Sequence, residues 1–499
     1  MSSPVFPLKG NVSYDRKKQE PVYLQLSHQV IKFIRSGKLQ PGVKLPGSRT
    51  LANELNLHRK TIIAVYTELQ AQGWIETIVN KGTFVTKQLP VVQPVSFKQP
   101  IHQKNNSEYA SFDFLKNDLL YQKPEVLDKK INLIADGVPD HRLVPIDEIS
   151  KVYRDVMKRS YNRHLLKYNS IYGNLQLRKR LAVYLNATRG LHITYDQILI
   201  TRGSQMSMYL AGQLLLKNRI IICGNTNYNT ANDTFTYCGG QVKTVSIDKD
   251  GLNTQEIETL CKTQPIQAVY VTSHHHYPTT VTLSPQRRMH LLQLAQQYQF
   301  AIIEDDYDYD FHYNNAPILP LASSDETGNV LYLGGFTKII APALRIGYLI
   351  GPVDFIREAA HLRSIIDRQG DTILEHVISI LIKNGDVYRH IQKVRKIYKK
   401  RRDLFCKLLS EQCGKFFNFT KPEGGMAVWV LLRDTYTWDN VMASAKALDI
   451  PFSSDYLIYG DAVTSKGIRM GFACLTTEEI YQSIDRLQKV MNQLKKSSQ

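Results

Sequence analysis

Six short apolar runs constrain this chain more than any other feature. They are QILITRG (197–203), RIIIC (219–223), AVYVTS (268–273), FAIIEDD (300–306), VLYLGG (330–335) and RIGYLI (345–350). β-Branched residues are frequent in them, and helical patterns such as PQRRMHLLQLAQQYQ (285–299) separate several. Near-continuous apolar strands alternating with helices predict a mostly parallel sheet covered on both faces. Ligands of such sheets bind at the carboxyl ends of strands, so chemistry is to be sought in the polar residues that follow these runs.

The runs occupy one part of a 499-residue chain, which is long enough for two or three domains. Three blocks are expected. The first spans 1–87. The second, 88–123, carries three prolines, many Gln and Asn and no sustained periodicity, and reads as a linker. The third, 124–499, holds the strands and helices. No run of about 18 apolar residues predicts a membrane span, and the N-terminus MSSPVFPLKGNVSYDRKK has no signal-type apolar stretch. Six scattered cysteines without CxxC spacing suggest neither a zinc site nor a disulfide framework. A cytoplasmic protein is expected.

Residues 1–90 hold thirteen Lys and Arg against five Asp and Glu, a denser positive balance than the rest of the chain carries within its total of +18. Such a balance suits nucleic acid, but pattern must decide. PVYLQLSHQVIKFIRSG (21–37) has helical spacing. SRTLANELN (48–56) reads as a short helix capped by Ser48, and LHRKTIIAVYTELQAQG (57–73) as a longer one. WIETIVNKGTFVTK (74–87) reads as two strands around Asn80-Lys81-Gly82. Three helices and a hairpin make an α+β winged helix-turn-helix. The stretch from about Val22 to Lys87 resembles the GntR-type DNA-binding domain, through "GKLQPGVKLPGSRTLANELNLHRKTIIAVYTELQAQGWI" and "KGTFV". The resemblance implies contacts to a double-stranded operator from Arg49, His58, Arg59, Lys60, Thr61 and Lys81, with the Gly82 backbone at the wing tip. His58 stands where that family usually has Ser, a change expected to weaken a helix cap or alter a phosphate contact.

In the third block, VLYLGGFTKIIAPALRIGYLIGP (330–352) places Lys338 after a strand and two glycines, and IIEDDYDYDF (302–311) ends another strand in carboxylates and tyrosines. A strand-end carboxylate can pair with a pyridinium nitrogen, and a neighbouring lysine can form a Schiff base. From INLIADGVPD (131–140) to IRMGFA (468–473) the block resembles α/β fold-type I pyridoxal-phosphate enzymes of the aspartate aminotransferase class, and most of all the aminotransferase-like domain of MocR/GabR-type regulators. The resemblance implies pyridoxal 5'-phosphate as cofactor, a large sheet domain and a small domain. Lys338 matches the lysine of the internal aldimine, Asp305 the partner of the pyridinium, and Tyr307 the tyrosine on the ring hydroxyl. Arg345 and Thr337 match phosphate contacts, and Gly203, Ser204 and Gln205 a phosphate cradle at a helix N-terminus. Tyr228 matches the aromatic that stacks on the ring, Tyr168 a tyrosine that reaches the partner subunit's phosphate, and Arg469 the arginine that grips a carboxylate.

The segment that in many aminotransferases reads Asn-Pro-x-Asn-Pro-Thr-Gly is here Ser273-His274-His275-His276-Tyr277-Pro278-Thr279-Thr280, without the ring-contacting Asn. Its three histidines are not read as a metal site, because the segment already has a place in the cofactor pocket. Thr230 stands where a γ-aminobutyrate sensor of this family has Arg, which implies another ligand. Two functions are expected to compete. One is a regulator sensing pyridoxal phosphate or an amine-bearing effector as a head-to-tail homodimer. The other is a working aminotransferase with an accessory DNA-binding domain.

Overall fold

A computed structural model describes residues 10–87 apart from 17 and 19, position 8, parts of 110–119, and 137–497 apart from 314–317, 434–435, 451–456 and 459–466. The expected linker 88–123 lies mostly outside these. Two compact units divide the chain, Met1–Leu115 and Lys116–Gln499.

The smaller unit contains helices α1 (Val22–Arg35), α2 (Ser48–Glu54) and α3 (Arg59–Ala71), then strands β1 (Ile75–Ile78) and β2 (Gly82–Val85). The strands pair antiparallel with Ile75 opposite Val85 and Ile78 opposite Gly82. Asn80 and Gly82 take positive φ in the connecting turn, at 62° and 115°, which is why these two residue types stand there. Leu26, Val30, Leu51, Ile62, Val65 and Val85 close one core. Ser48 does not cap α2. Gly47 holds the N-cap position with no side-chain bond, and the Ser48 hydroxyl instead accepts from Arg59 Nε at 3.4 Å.

In the larger unit the helices are α4 (Ile146–Lys158), α5 (Leu175–Arg189), α6 (Ser204–Leu215), α7 (Asn229–Tyr237), α8 (Thr254–Thr263), α9 (Pro285–Tyr298), α10 (Val353–Ile366), α11 (Thr372–Lys383), α12 (Asp386–Cys413), α13 (Trp438–Ala447) and α14 (Thr477–Ser497). The strands are β3 (Ile198–Thr201), β4 (Ile220–Gly224), β5 (Gln241–Val245), the short pair β6 (Ile247–Asp248) and β7 (Gly251–Leu252), β8 (Ile266–Val271), β9 (Ala301–Asp305), β10 (Val330–Gly335), β11 (Gly347–Ile350), β12 (Phe417–Phe419), β13 (Ala427–Leu432), β14 (Leu457–Ile458) and β15 (Gly467–Gly471).

A seven-stranded sheet runs β3-β11-β10-β9-β8-β4-β5, and β11 alone is antiparallel to its neighbours. Adjacent strand residues enter different cores. Ile303 and Tyr270 pack with Met208 of α6 and Ile356 of α10, while Ile302 and Val269 pack with Ile257 of α8 and Leu291 of α9. Side chains alternate across a strand, so burial of both faces explains the unbroken apolar runs. Each such side chain contributes about 1.5–3 kcal/mol by leaving water. The six sequence-read strands all form. β5 was not read, because it lies at the sheet edge with Gln241, Lys243 and Thr244 exposed, which breaks any apolar run. A second, antiparallel sheet, β12-β13-β15-β14, shares a core with α12, α13 and α14 that includes Leu409, Val428, Val441, Met470 and Ile484. No helix among the described residues is long and apolar enough to cross a membrane.

Candidate functional site

In the smaller unit the start of α3 gathers cations on the surface. His58 is extended and its Nδ1 accepts the Lys60 N–H at 3.3 Å. The imidazole thus takes the capping place that the sequence comparison gave to Ser. Arg49, His58, Arg59 and Lys60 are exposed and Thr61 is half-buried. The Arg59–Ser48 bond ties the start of α3 to α2. At the wing, Lys81 is exposed at the hairpin tip, and a Cβ at Gly82 would stand 2.9 Å from Lys44 Cε. Lys44, which sequence reading passed over, reaches the wing through its bridge to Phe84 and holds its ammonium 5.8 Å from that ring's centre. The stretch before α2 lies along the wing strand as well: Gly42 N–H donates to the Val85 carbonyl at 2.8 Å, Leu45 N–H to that of Thr83 at 2.9 Å, and Val85 N–H to that of Val43 at 2.9 Å. Cations around a helix N-terminus and a hairpin tip suit phosphates and base edges.

In the larger unit the candidate residues meet at strand carboxyl ends. Asp305 ends β9 and is buried. Its Oδ2 accepts the Tyr270 hydroxyl at 2.9 Å, and Oδ1 is buried without a hydrogen-bond partner among the described residues. Burial, with Asp306 and Asp308 nearby and against the Tyr270 bond, pushes its carboxyl up to about 7. A lone buried acceptor costs about 1–3 kcal/mol, so this oxygen is built for a donor, and a protonated ring nitrogen is one. Lys338 follows β10, and its Nζ donates to the Gly137 carbonyl at 3.3 Å. Thr337 beside it is half-buried.

The anion end is made by backbone shape. Gly203 caps α6 with φ 88°, and Ser204 opens the helix. A Cβ at Gly203 would meet Arg345 Nη2 at 3.0 Å. Arg345, itself at φ 49°, donates from that nitrogen to the Arg202 carbonyl at 2.6 Å. A guanidinium over a helix N-terminus with a cradle that only glycine leaves open suits a phosphate. The Gln205 side chain donates to Thr234 Oγ1 at 2.6 Å and so ties α6 to α7, which leaves its backbone for an anion. Tyr168 is 76% exposed and lies under the Arg368 guanidinium at 4.1 Å, so its contact is with Arg368.

Around the ring position, Tyr228 meets Tyr277 edge to face at 5.1 Å between centres. The Tyr307 hydroxyl donates to the His275 carbonyl at 2.8 Å. Arg469, on β15 opposite Trp429, is 2% exposed. Its guanidinium lies 5.0 Å from the Tyr277 ring centre and 5.9 Å from that of Tyr307. Gly137, at φ 54°, adjoins both cations, since a Cβ there would stand 3.1 Å from Arg469 Nη2. The three histidines diverge. His274 Nε2 meets the Ile318 carbonyl, His275 Nδ1 meets Asp308 Oδ1 at 2.8 Å, and His276 Nδ1 meets Thr279 Oγ1 at 2.9 Å. Burial drives His274 and His276 down to about 3. Burial also works against charge on His275, but Asp308 outweighs it and holds that imidazole above its ordinary value.

Gly137, Tyr270 and Tyr277 were not singled out from sequence. Gly137 had only the INLIADGVPD match, and Tyr270 only the general need of a buried phenol for a partner. The lone Asp305 oxygen and the Gly203–Arg345 cradle fit a phosphorylated pyridine aldehyde. The fold and this set of residues define a fold-type I pyridoxal-phosphate domain on a chain that also carries a winged helix-turn-helix.

The chain belongs to the aminotransferase class I and II family, whose model matches residues 128–487, and residues 22–85 match the bacterial regulatory proteins of the gntR family. It is 25% identical to an uncharacterized HTH-type transcriptional regulator, YdeL, of Bacillus subtilis, over 94% of this chain and 96% of that one. It is 22% identical to the probable rhizopine catabolism regulatory protein MocR of Rhizobium meliloti, over 97% and 96%. The crystal structure of a Pyrococcus horikoshii kynurenine aminotransferase in complex with PMP matches with a TM-score of 0.69 at 26% identity, covering 76% of this chain and 97% of that one.

Proposed function

We propose that this protein is a pyridoxal-phosphate-dependent, DNA-binding transcriptional regulator that acts in the cytoplasm as a head-to-tail homodimer. The observation that carries this is the presence on one chain of an exposed cationic recognition helix, from Arg59, and a buried pocket holding Lys338 and Asp305. A metabolic enzyme has no use for the first. The dimer is supported by exposed Tyr168, whose family counterpart serves the other subunit's cofactor, and by the pairing of winged helices on half-sites.

When bound, pyridoxal phosphate supplies an aldehyde open to amines and an electron-withdrawing ring. Lys338 holds it through Nζ. Asp305 would hold the proton of the ring nitrogen through its carboxylate. Arg345, Thr337 and the backbone of Gly203, Ser204 and Gln205 bind the phosphate. Tyr228 would pack on the ring and Tyr307 would orient the ring hydroxyl. Arg469 receives the carboxylate of an amine-bearing effector, or the cofactor alone is the signal. A ligand alters DNA affinity only by preferring one conformation.

The retained Lys338, Asp305 and Tyr307 also support a second reading, an aminotransferase with an accessory DNA-binding domain. The test is operator binding by the full chain with and without pyridoxal phosphate, beside an assay of amino-group transfer. Ligand-dependent operator binding supports the regulator. Steady turnover with no specific DNA site reverses it.

A further inference from the structure

The segment that departs most from the aminotransferase pattern puts a tyrosine at the centre of the pocket. Tyr277 is half-buried, and its backbone N–H is fixed by donation to Thr272 Oγ1 at 3.0 Å. Its ring is edge-on to Tyr228 at 5.1 Å and to Tyr307 at 6.5 Å, and it faces the Arg469 guanidinium at 5.0 Å. The Arg469 Nη1–Pro278 carbonyl contact, at 3.5 Å, is at the outer limit of a hydrogen bond. An aromatic face holds a guanidinium within about 6 Å without consuming its donors, and more strongly where water is excluded. Arg469 is 2% exposed.

We infer that Tyr277 is a positioning residue for carboxylate recognition, its ring holding the Arg469 guanidinium ready for a short amino carboxylate. The ligand is short because Arg469 and Lys338 both adjoin the single residue Gly137. The ring, not the hydroxyl, does this, so phenylalanine substitutes for tyrosine and leucine does not. The inference rests on the proposal that Arg469 receives the effector's carboxylate.

The experiment titrates the cofactor-loaded full chain with two matched pairs, L-alanine against ethylamine and L-phenylalanine against phenethylamine, following the cofactor absorbance. Y277L should weaken the amino acids about tenfold and leave the amines within about twofold, while Y277F stays within about threefold of the unsubstituted protein for all four. Unchanged cofactor absorbance before ligand addition shows that the variants keep the fold. Equal loss in Y277F and Y277L, or equal loss for acids and amines, overturns the inference. So does an unsubstituted protein that prefers neither amino acid to its amine. Operator binding on the same samples reports on the regulator reading separately, since it requires no carboxylate preference.

Discussion

The smaller unit displays the charged groups of its site, and the larger unit buries two of the most important ones in its own. Arg49, Arg59, Lys60 and Lys81 stand in water at a helix start and a hairpin tip. Arg469 and Asp305 are buried in a pocket of tyrosines. Exposed charges are screened and each is worth little alone, so the winged unit works by summing phosphate contacts and is sensitive to salt. Buried charges are costly until a partner arrives, so single residues of the pocket decide whether a ligand is held. Substitutions should therefore act steeply in one unit and gradually in the other.

The largest effect is expected from Lys338→Ala. The purified protein should lose the visible absorbance of the bound cofactor, and hydride reduction should no longer fix the cofactor to the peptide that contains position 338. Retention of that absorbance would remove the assignment of Lys338.

Asp305→Asn comes next. In the cofactor-free chain the Asp305 carboxyl, raised by burial to about 7, binds a proton that the unfolded chain releases near its ordinary value of 3.8. The folded state then holds more protons between these values, so stability is full below about 4 and falls as pH rises to about 7. The loss through this group is at most roughly 4 kcal/mol. Denaturant midpoints from pH 4 to 8 should decline in the unsubstituted protein and flatten in Asp305→Asn. If the loaded cofactor sets a cationic nitrogen against Oδ1, it should flatten them too. An equal decline in all three would contradict the role given to that oxygen.

On the exposed side, Arg59→Ala should weaken operator binding by about 1–3 kcal/mol if it reads a base and should lower the salt dependence by about one phosphate. Equal affinity of the two proteins would show that Arg59 touches no DNA. The smallest effect belongs to His58→Ala, which removes the imidazole acceptor from the Lys60 N–H. It should cost about 0.5–2 kcal/mol of stability in the smaller unit, and His58→Ser should recover most of that. A Ser variant no better than Ala would mean that the cap contributes nothing.

The same contrast explains what could be read from the sequence. Strand runs buried on both faces, such as AIIED, announce themselves as unbroken apolar stretches. β5, half in water at the sheet edge, does not. Lys338, Asp305 and Arg345 could be singled out because each lies in or beside a recognisable run. The Asp305–Tyr270 bond joins neighbouring strands 35 residues apart, and the Arg469–Tyr277 contact joins β15 to a loop after β8. No local pattern records either. The cap of α2 was misread because Ser48 has a favourable residue type, while its hydroxyl is engaged by Arg59 from the next helix.

The central claim is that the buried pocket of the larger unit governs DNA binding by the exposed helix start and hairpin tip of the smaller one. Its most direct test is the affinity of the full chain for its operator at fixed salt, measured without ligand, with pyridoxal phosphate, and with pyridoxal phosphate plus an amino carboxylate. The account predicts a change of about 5–150-fold with at least one of these additions. It also predicts that Lys338→Ala abolishes the change and that Arg469→Ala abolishes any part due to the amino carboxylate. Operator affinity that is identical under all three conditions, in a protein shown by its absorbance to bind the cofactor, would contradict it.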